Sequence, residues 1–235
     1  MAKRKKFTDA QLKKGRAISK PTQALWRLED GITFSGLSKW MDCREQFSLQ
    51  WIDGLTPKKI SIPLEFGSVI HYGLEHQFCG KRPSEVIRMI TSQYREHRSK
   101  TITNSGEKDT LDLILGLAEV VYPEYCEFWH FDDRNINWIE REAKFKLKYE
   151  FPTHEGQREV TLRGMRDGIY SYGTVYGVFE TKTKSKIIEK DIIDNLHADM
   201  QTMMYCFCTY LSTGRYPNEV KYNVIRRPDT YRRKQ

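Results

Sequence analysis

The stretch Gly164-Met165-Arg166-Asp167-Gly168-Ile169-Tyr170-Ser171-Tyr172-Gly173-Thr174-Val175-Tyr176-Gly177-Val178-Phe179-Glu180-Thr181-Lys182-Thr183 has the pattern of two strands joined by a tight turn. Side chains alternate between the faces of a strand, so Met165, Asp167 and Ile169 share one face of the first strand and Val178, Glu180 and Lys182 share one face of the second. With Gly173-Thr174 as the two central turn residues, a glycine-first type II′ turn is the natural choice. Pairing outward from that turn sets Asp167 opposite Glu180. Two carboxylates on paired strands, with a lysine two residues further along the same face, suit a hard divalent cation and a phosphate. The competing reading is a cross-strand salt bridge on an exposed sheet face.

Asp167 followed by Glu180-Thr181-Lys182 resembles the signature of the PD-(D/E)XK nuclease superfamily in its RecB-like, phage exonuclease-like branch. That branch writes the stretch as G-x-x-D-x-I, a hairpin, then (D/E)-x-K-T. Arg166 stands where the literal motif has proline. Three further matches follow the family's chain order. Phe34-Ser35-Gly36-Leu37-Ser38-Lys39-Trp40-Met41-Asp42-Cys43-Arg44-Glu45-Gln46-Phe47, closed by Gly54-Leu55, is similar to an opening S-x-L-x-x-(aromatic)-x-x-C-P-x-x-(F/Y) helix, with Arg44 in place of proline. Phe66-Gly67-Ser68-Val69-Ile70-His71-Tyr72-Gly73-Leu74-Glu75 resembles G-x-x-(I/V)-H-x-x-(L/F)-E, and Gln201-x-x-x-Tyr205 resembles a Q-x-x-x-Y element that follows the sheet.

The resemblance implies an α/β fold: a restriction-endonuclease-like core, a mixed sheet flanked by helices, with a helical insertion before the sheet. It implies that Asp167, Glu180 and Lys182 are catalytic, and that His71, Asp167, Glu180 and the backbone carbonyl of Thr181 bind the metal. Glu75, one turn beyond His71, would orient it or hold a metal-bound water. Glu142 matches a frequent acidic position and is read as a structural or bracing carboxylate rather than a direct ligand. Gln201 and Tyr205 would hydrogen-bond phosphates or brace the metal ligands. The expected cofactor is Mg²⁺ or Mn²⁺. In some relatives the cysteine at the Cys43 position ligates an iron–sulfur cluster whose other ligands lie near the C-terminus. This chain ends without such a trio, so no iron–sulfur cluster is expected and Cys43 is read as a buried structural thiol.

The chain has 235 residues, enough for one sizeable core with appendages. Its net charge of +8 favours an anionic partner without naming one. Five cysteines, odd in number and dispersed without a C-x-x-C pair, argue against a disulfide framework and for a reducing compartment. No apolar run is long enough for a membrane span, and the basic start Met1-Ala2-Lys3-Arg4-Lys5-Lys6 lacks an apolar signal core. The expected setting is the cytoplasm of a bacterium or phage-infected host, with DNA ends or single strands, and a helicase or recombination protein, as partners and no membrane.

The domain layout reads as a basic arm over 1–34, a single domain over 35–226 with its helical insertion at 84–132, and a basic tail over 227–235. Helices are expected over Phe7–Ala17, Ser35–Asp53 (capped by Ser35), Pro63–Phe78, Ser84–Arg98 (capped by Ser84), Asp109–Phe131 and Asp191–Leu211, with Gly106–Asp109 as a loop. Trp138–Phe151 alternates as a strand, with Ile139, Arg141, Ala143, Phe145, Leu147, Tyr149 and Phe151 on one face and Glu140, Glu142, Lys144, Lys146 and Lys148 on the other. Residues 158–170 and 174–183 make the next strands, and Asn218–Ile225 the last.

Three functions fit. A metal-dependent DNA nuclease, expected as an exonuclease with an endonuclease as the alternative, predicts cutting that stops with chelator and with Lys182→Ala. An inactive DNA-binding module of the same fold predicts binding without cutting. A structural protein with an acidic hairpin predicts no metal binding.

Overall fold

The computed structural model describes residues 18–19, 30–57, 60–78, 81–100, 102, 104–129, 136–196 and 198–229. The basic start, the expected Phe7–Ala17 helix, His197 and the end of the tail lie outside them. The chain falls into two compact units, one of residues 1–60 with 148–162 and one of 61–147 with 163–235.

In the first unit, α1 (Phe34–Asp42) is capped by Thr33, whose hydroxyl accepts from the Gly36 N–H at 3.1 Å, rather than by Ser35. The expected single helix to Asp53 is broken at Cys43, which is extended at φ −158° and ψ 106°. After it come α2 (Arg44–Phe47) and a wider π turn, Ser48–Ile52. The break leaves Cys43 exposed, not buried as expected. Residues Ile18–Ser19 pair antiparallel with Thr56–Pro57, and Ile32 bridges to Leu162.

The second unit is mixed α/β. Four strands, β1 (Asn137–Thr153), β2 (Gly156–Tyr172), β3 (Val175–Lys184) and β4 (Glu219–Arg226), form one sheet in the order β1-β2-β3-β4. The outer parts of β1 and β2 belong to the first unit. Antiparallel pairing of β2 with β3 runs from Tyr172↔Val175 to Gly168↔Phe179, the register read from the sequence. Gly173 has φ +53° and Thr174 is not left-handed, as a turn with positive φ only at its first central residue requires. β4 is parallel to β3, pairing Glu180 with Tyr222 and Thr181 with Asn223. That parallel pair needs a crossover, which α7 (Glu189–Leu196) and α8 (Met200–Thr213) supply. The expected continuous helix over Asp191–Leu211 is therefore two. Asp199 restarts it as N-cap, its carboxylate accepting from the Gln201 N–H at 3.0 Å and the Thr202 hydroxyl at 2.8 Å.

Helix α3 (Ile62–Phe78) buries Phe66, Val69, Ile70 and Leu74. It packs on β3 and on α6 (Ser105–Trp129), whose apolar stripe Leu111, Ile114, Leu115, Ala118, Tyr122 and Cys126 is buried. The contact is close: a Cβ on Gly73 would meet the Tyr122 ring at 2.6 Å, and the Tyr122 hydroxyl donates to the Gly73 carbonyl at 2.8 Å. Gly106–Asp109 lies in the first turns of α6 rather than in a loop, because Asn104 Oδ1 accepts from the Glu107 N–H at 2.8 Å. Between α3 and α6 run α4 (Pro83–Met89), a π turn Ile90–Tyr94 and α5 (Arg95–Ser99). Ser84 does not cap α4; Glu85 does so from within, accepting from the Arg82 N–H at 2.9 Å. Buried Glu65 of α3 accepts from Arg98 Nη2 at 2.6 Å and from the Tyr94 hydroxyl at 2.9 Å, so its charge is compensated.

Candidate metal centre

Four elements of the second unit bring titratable groups to one place. Helix α3 carries His71 on the stripe beside its buried face. Strand β1 supplies Glu142, β2 supplies Asp167, and β3 supplies Glu180 and Lys182. His71 Nδ1 lies 3.0 Å from Glu142 Oε1 and 3.7 Å from Asp167 Oδ1. One ligand atom from each of His71, Glu142 and Asp167 falls within 4.8 Å of the others, a spacing that can hold a metal ion. Glu142 thus stands closer to the centre than the bracing role read from the sequence. Glu75 is exposed, and the carboxylate that meets His71 is Glu142 instead.

The backbone explains how Glu142 gets there. It has φ +45°, the positive φ found at a non-glycine among the described residues, and a left-handed residue of this kind costs about 1–2 kcal/mol. Glu140 pairs with Arg166 at 2.6 Å, and Arg166 also donates to Thr209 and Ser212 of α8 at 3.3 Å and 3.0 Å. Glu142, two residues on, meets His71 of α3. In an unbroken strand residues two apart share a face, and the left-handed turn at Glu142 breaks that relation. The uniform alternation expected over Trp138–Phe151 fails for this reason: Ile139 is 49% exposed while Phe145 is buried.

Asp167 and Glu180 lie at the end of the β2–β3 ladder. The paired residues stop at Gly168↔Phe179, and beyond them the Asp167 side chain itself accepts from the Thr181 N–H, at 2.5 Å. Thr181 is buried, and its hydroxyl accepts from Asn223 at 3.2 Å. Glu180 is 1% exposed. Its Oε1 accepts from the Lys182 ammonium, and its Oε2 is buried with no hydrogen-bond partner. Lys182 also donates to Gln201 Oε1 at 2.7 Å, and Gln201 Nε2 donates to the Tyr205 hydroxyl at 3.2 Å. The i, i+4 pair on α8 therefore reaches the centre through Lys182. Asp199, which fixes the start of α8, was not singled out in the sequence, although an aspartate ahead of an apolar run is a common cap signal.

The electrostatics are those of charges held together out of water. Burial pushes the Asp167 carboxyl up to about 6, despite the opposing pull of His71, while Glu142 adds to the rise. Burial and the neighbouring Asp167 push Glu180 up to about 7, against Lys182. Burial disfavours the His71 imidazolium, but the Glu142 hydrogen bond and the charges of Asp167, Glu142 and Glu180 outweigh it and raise the group to about 9. Burial also lifts the Tyr205 phenol. The bland alternative, an ion pair on an exposed sheet face, does not describe residues this buried. Neither a protein-family model nor a curated protein matches the chain, so the chemistry has to be read from these residues themselves.

Proposed function

We propose that the protein is a divalent-metal-dependent DNA nuclease on a PD-(D/E)XK core of the RecB-like kind, hydrolysing phosphodiester bonds as an exonuclease in recombination, repair or phage DNA processing. One observation carries the reading. Three acidic groups, an imidazole and an ammonium converge, and one buried carboxylate oxygen, Glu180 Oε2, is left without a partner. A buried acceptor left unsatisfied costs about 1–3 kcal/mol unless something charged or hydrogen-bonding meets it.

The donor set fits Mg²⁺ or Mn²⁺, being rich in hard oxygens with a single imidazole. His71, Glu142, Asp167 and Glu180 would hold the cation, with the Thr181 carbonyl as the backbone donor that the resemblance implies. When bound, such a cation polarises a phosphoryl oxygen and makes a water nucleophilic near neutral pH. Lys182, held between Glu180 and Gln201, presents its ammonium to the attacking water and to the charge that develops on phosphorus oxygens. The Glu142 contact keeps His71 Nδ1 on the carboxylate side of the ring, and a cation bound there would take the place of the Nδ1 proton.

The test is cleavage of linear and circular DNA, single- and double-stranded, with Mg²⁺ or Mn²⁺, by wild type, Asp167→Ala and Lys182→Ala. The expected result is metal-dependent loss of linear DNA alone, abolished in both variants. Cutting of circles would make the enzyme an endonuclease. Binding of DNA with no cutting by wild type would leave an inactive module, and equal cutting by all three proteins would mean that these residues do not carry the reaction.

A further inference from the structure

Around the centre, the faces of β1 and β2 can be told apart by their contacts. Phe145 meets Tyr205 of α8, with ring centroids 6.0 Å apart, and lies under Arg166 and against Gly164. Ala143, Phe145 and Leu147 of β1, with Gly164 and Arg166 of β2, therefore belong to the face that α8 covers. The opposite face carries Glu142 and Asp167, which both meet His71. Going outward along that same face, the next residues are Lys144 and Lys146 on β1, and Met165 and Arg163 on β2. Both lysines are exposed, and neither has an ion pair among the described residues. Met165 is 41% exposed, and Arg163 has a buried Nε with no hydrogen-bond partner. The sign of charge changes abruptly: acidic at the centre, basic immediately beyond it.

We propose that Lys144, Lys146 and Arg163 form a phosphate track that carries a single strand of DNA into the centre. The proposal rests on the nuclease reading of that centre. Residues two apart on a strand repeat every ~6.6 Å, close to the step between successive phosphates of an extended nucleic-acid strand. Lys144 and Lys146 thus present cations in register with a strand's backbone, and Arg163, on the neighbouring strand, offers a fork suited to a phosphate. Met165 gives the row an apolar surface on which a base can rest. A track only two β-strands wide, about 5 Å across, fits one nucleic-acid strand rather than a duplex. The carboxylates repel the same backbone, so the phosphate at the centre is the one that needs the cation, while its neighbours are held by the track.

The test is binding of a fluorescently labelled oligothymidylate in EDTA, followed by anisotropy over a salt series. Wild type is compared with Lys144→Ser/Lys146→Ser, with the same pair plus Arg163→Gln, and with Lys108→Ser/Lys186→Ser/Lys190→Ser, a control of equal charge change at exposed sites elsewhere. Each phosphate contact contributes about 0.7 to the slope of log affinity against log salt for a single strand, so the triple track variant should lose about 2 from that slope and the double about 1.4. The control should keep the wild-type slope, and the triple track variant should bind at least tenfold more weakly at low salt. Equal losses in the track and control sets, an unchanged slope, or no binding by wild type would overturn the track. Cleavage is scored separately with Mg²⁺ or Mn²⁺. Track-dependent binding by a protein that never cuts would retain the track and remove the nuclease reading.

Discussion

Glu180 has one carboxylate oxygen on Lys182 and the other buried and unpartnered, beside Asp167. Its charge is therefore a burden on the metal-free fold. Glu180→Gln keeps the shape and the acceptor for Lys182 while removing that charge. It is expected to stabilise the metal-free protein at pH 8 by about 1 kcal/mol, on the scale of one pK unit, and to abolish any further stabilisation by Mg²⁺. Lys182→Ala has the opposite sign, because it strands the same carboxylate. The loss should be about 1–2 kcal/mol, less than for a fully stranded charge, since Glu180 takes up a proton in response. Thermal melts of the three proteins with and without Mg²⁺ check both signs. Asp167, Glu180 and Lys182 were legible from strand alternation, whereas His71, Gln201 and Tyr205 were pointed to by the resemblance of their segments to nuclease motifs. Glu142 was legible as a residue but not in its reach, and Glu75, expected beside His71, is exposed. A helical side chain's partner depends on which neighbouring strand arrives beside it, and spacing along the helix does not encode that.

At the scale of elements, the left-handed Glu142 gives β1 its two personalities. Glycine adopts positive φ without the Cβ clash, so Glu142→Gly and Glu142→Ala separate the carboxylate from the backbone. Both should loosen His71, but the glycine variant should be more stable than the alanine variant by about 1 kcal/mol, the cost of left-handed backbone for an L side chain. Urea unfolding of the pair measures this, and equal midpoints would show that β1 carries no strain there. Where α3 crosses α6, Gly73→Ala would drive a methyl into the Tyr122 ring. Overpacking of that kind costs about 1–3 kcal/mol, and the same unfolding experiment reads it. The breaks at Cys43 and before Asp199 escaped the periodicity of the sequence because apolar spacing continues across them. The breaks are made by single residues, an extended Cys43 and the capping Asp199.

At the scale of the whole molecule, the centre couples folding to pH and to metal. Asp167, Glu180 and His71 all have folded values above their ordinary ones, near 6, 7 and 9. The folded chain therefore holds protons that the unfolded chain has released, and stability falls as pH rises wherever that is so. The carboxylates' contribution is complete below about pH 4 and is lost through 6 and 7; that of His71 is complete below about 6.5 and is lost through 9. The metal-free second unit is expected to melt at progressively lower temperature from pH 5 to pH 9. Mg²⁺ should raise the melting temperature most at the alkaline end, because a cation and those protons compete for the same ligands. Melts in EDTA and in Mg²⁺ across that range test it, and a flat EDTA profile would contradict the coupling. No helix among the described residues is long and apolar enough to cross a membrane. The sequence by itself determined the β2–β3 hairpin, its register and turn, and the residue types around the centre. These follow from alternation, from glycine's freedom at Gly173 and from i, i+4 spacing, all of which act over a few residues. Only the tertiary structure decided that Glu142 joins His71, that Glu180 keeps an unpartnered oxygen, and that the lysines of β1 line up beyond the carboxylates. Those depend on one backbone angle and on which faces the helices cover, and both are set by packing between segments far apart in the chain.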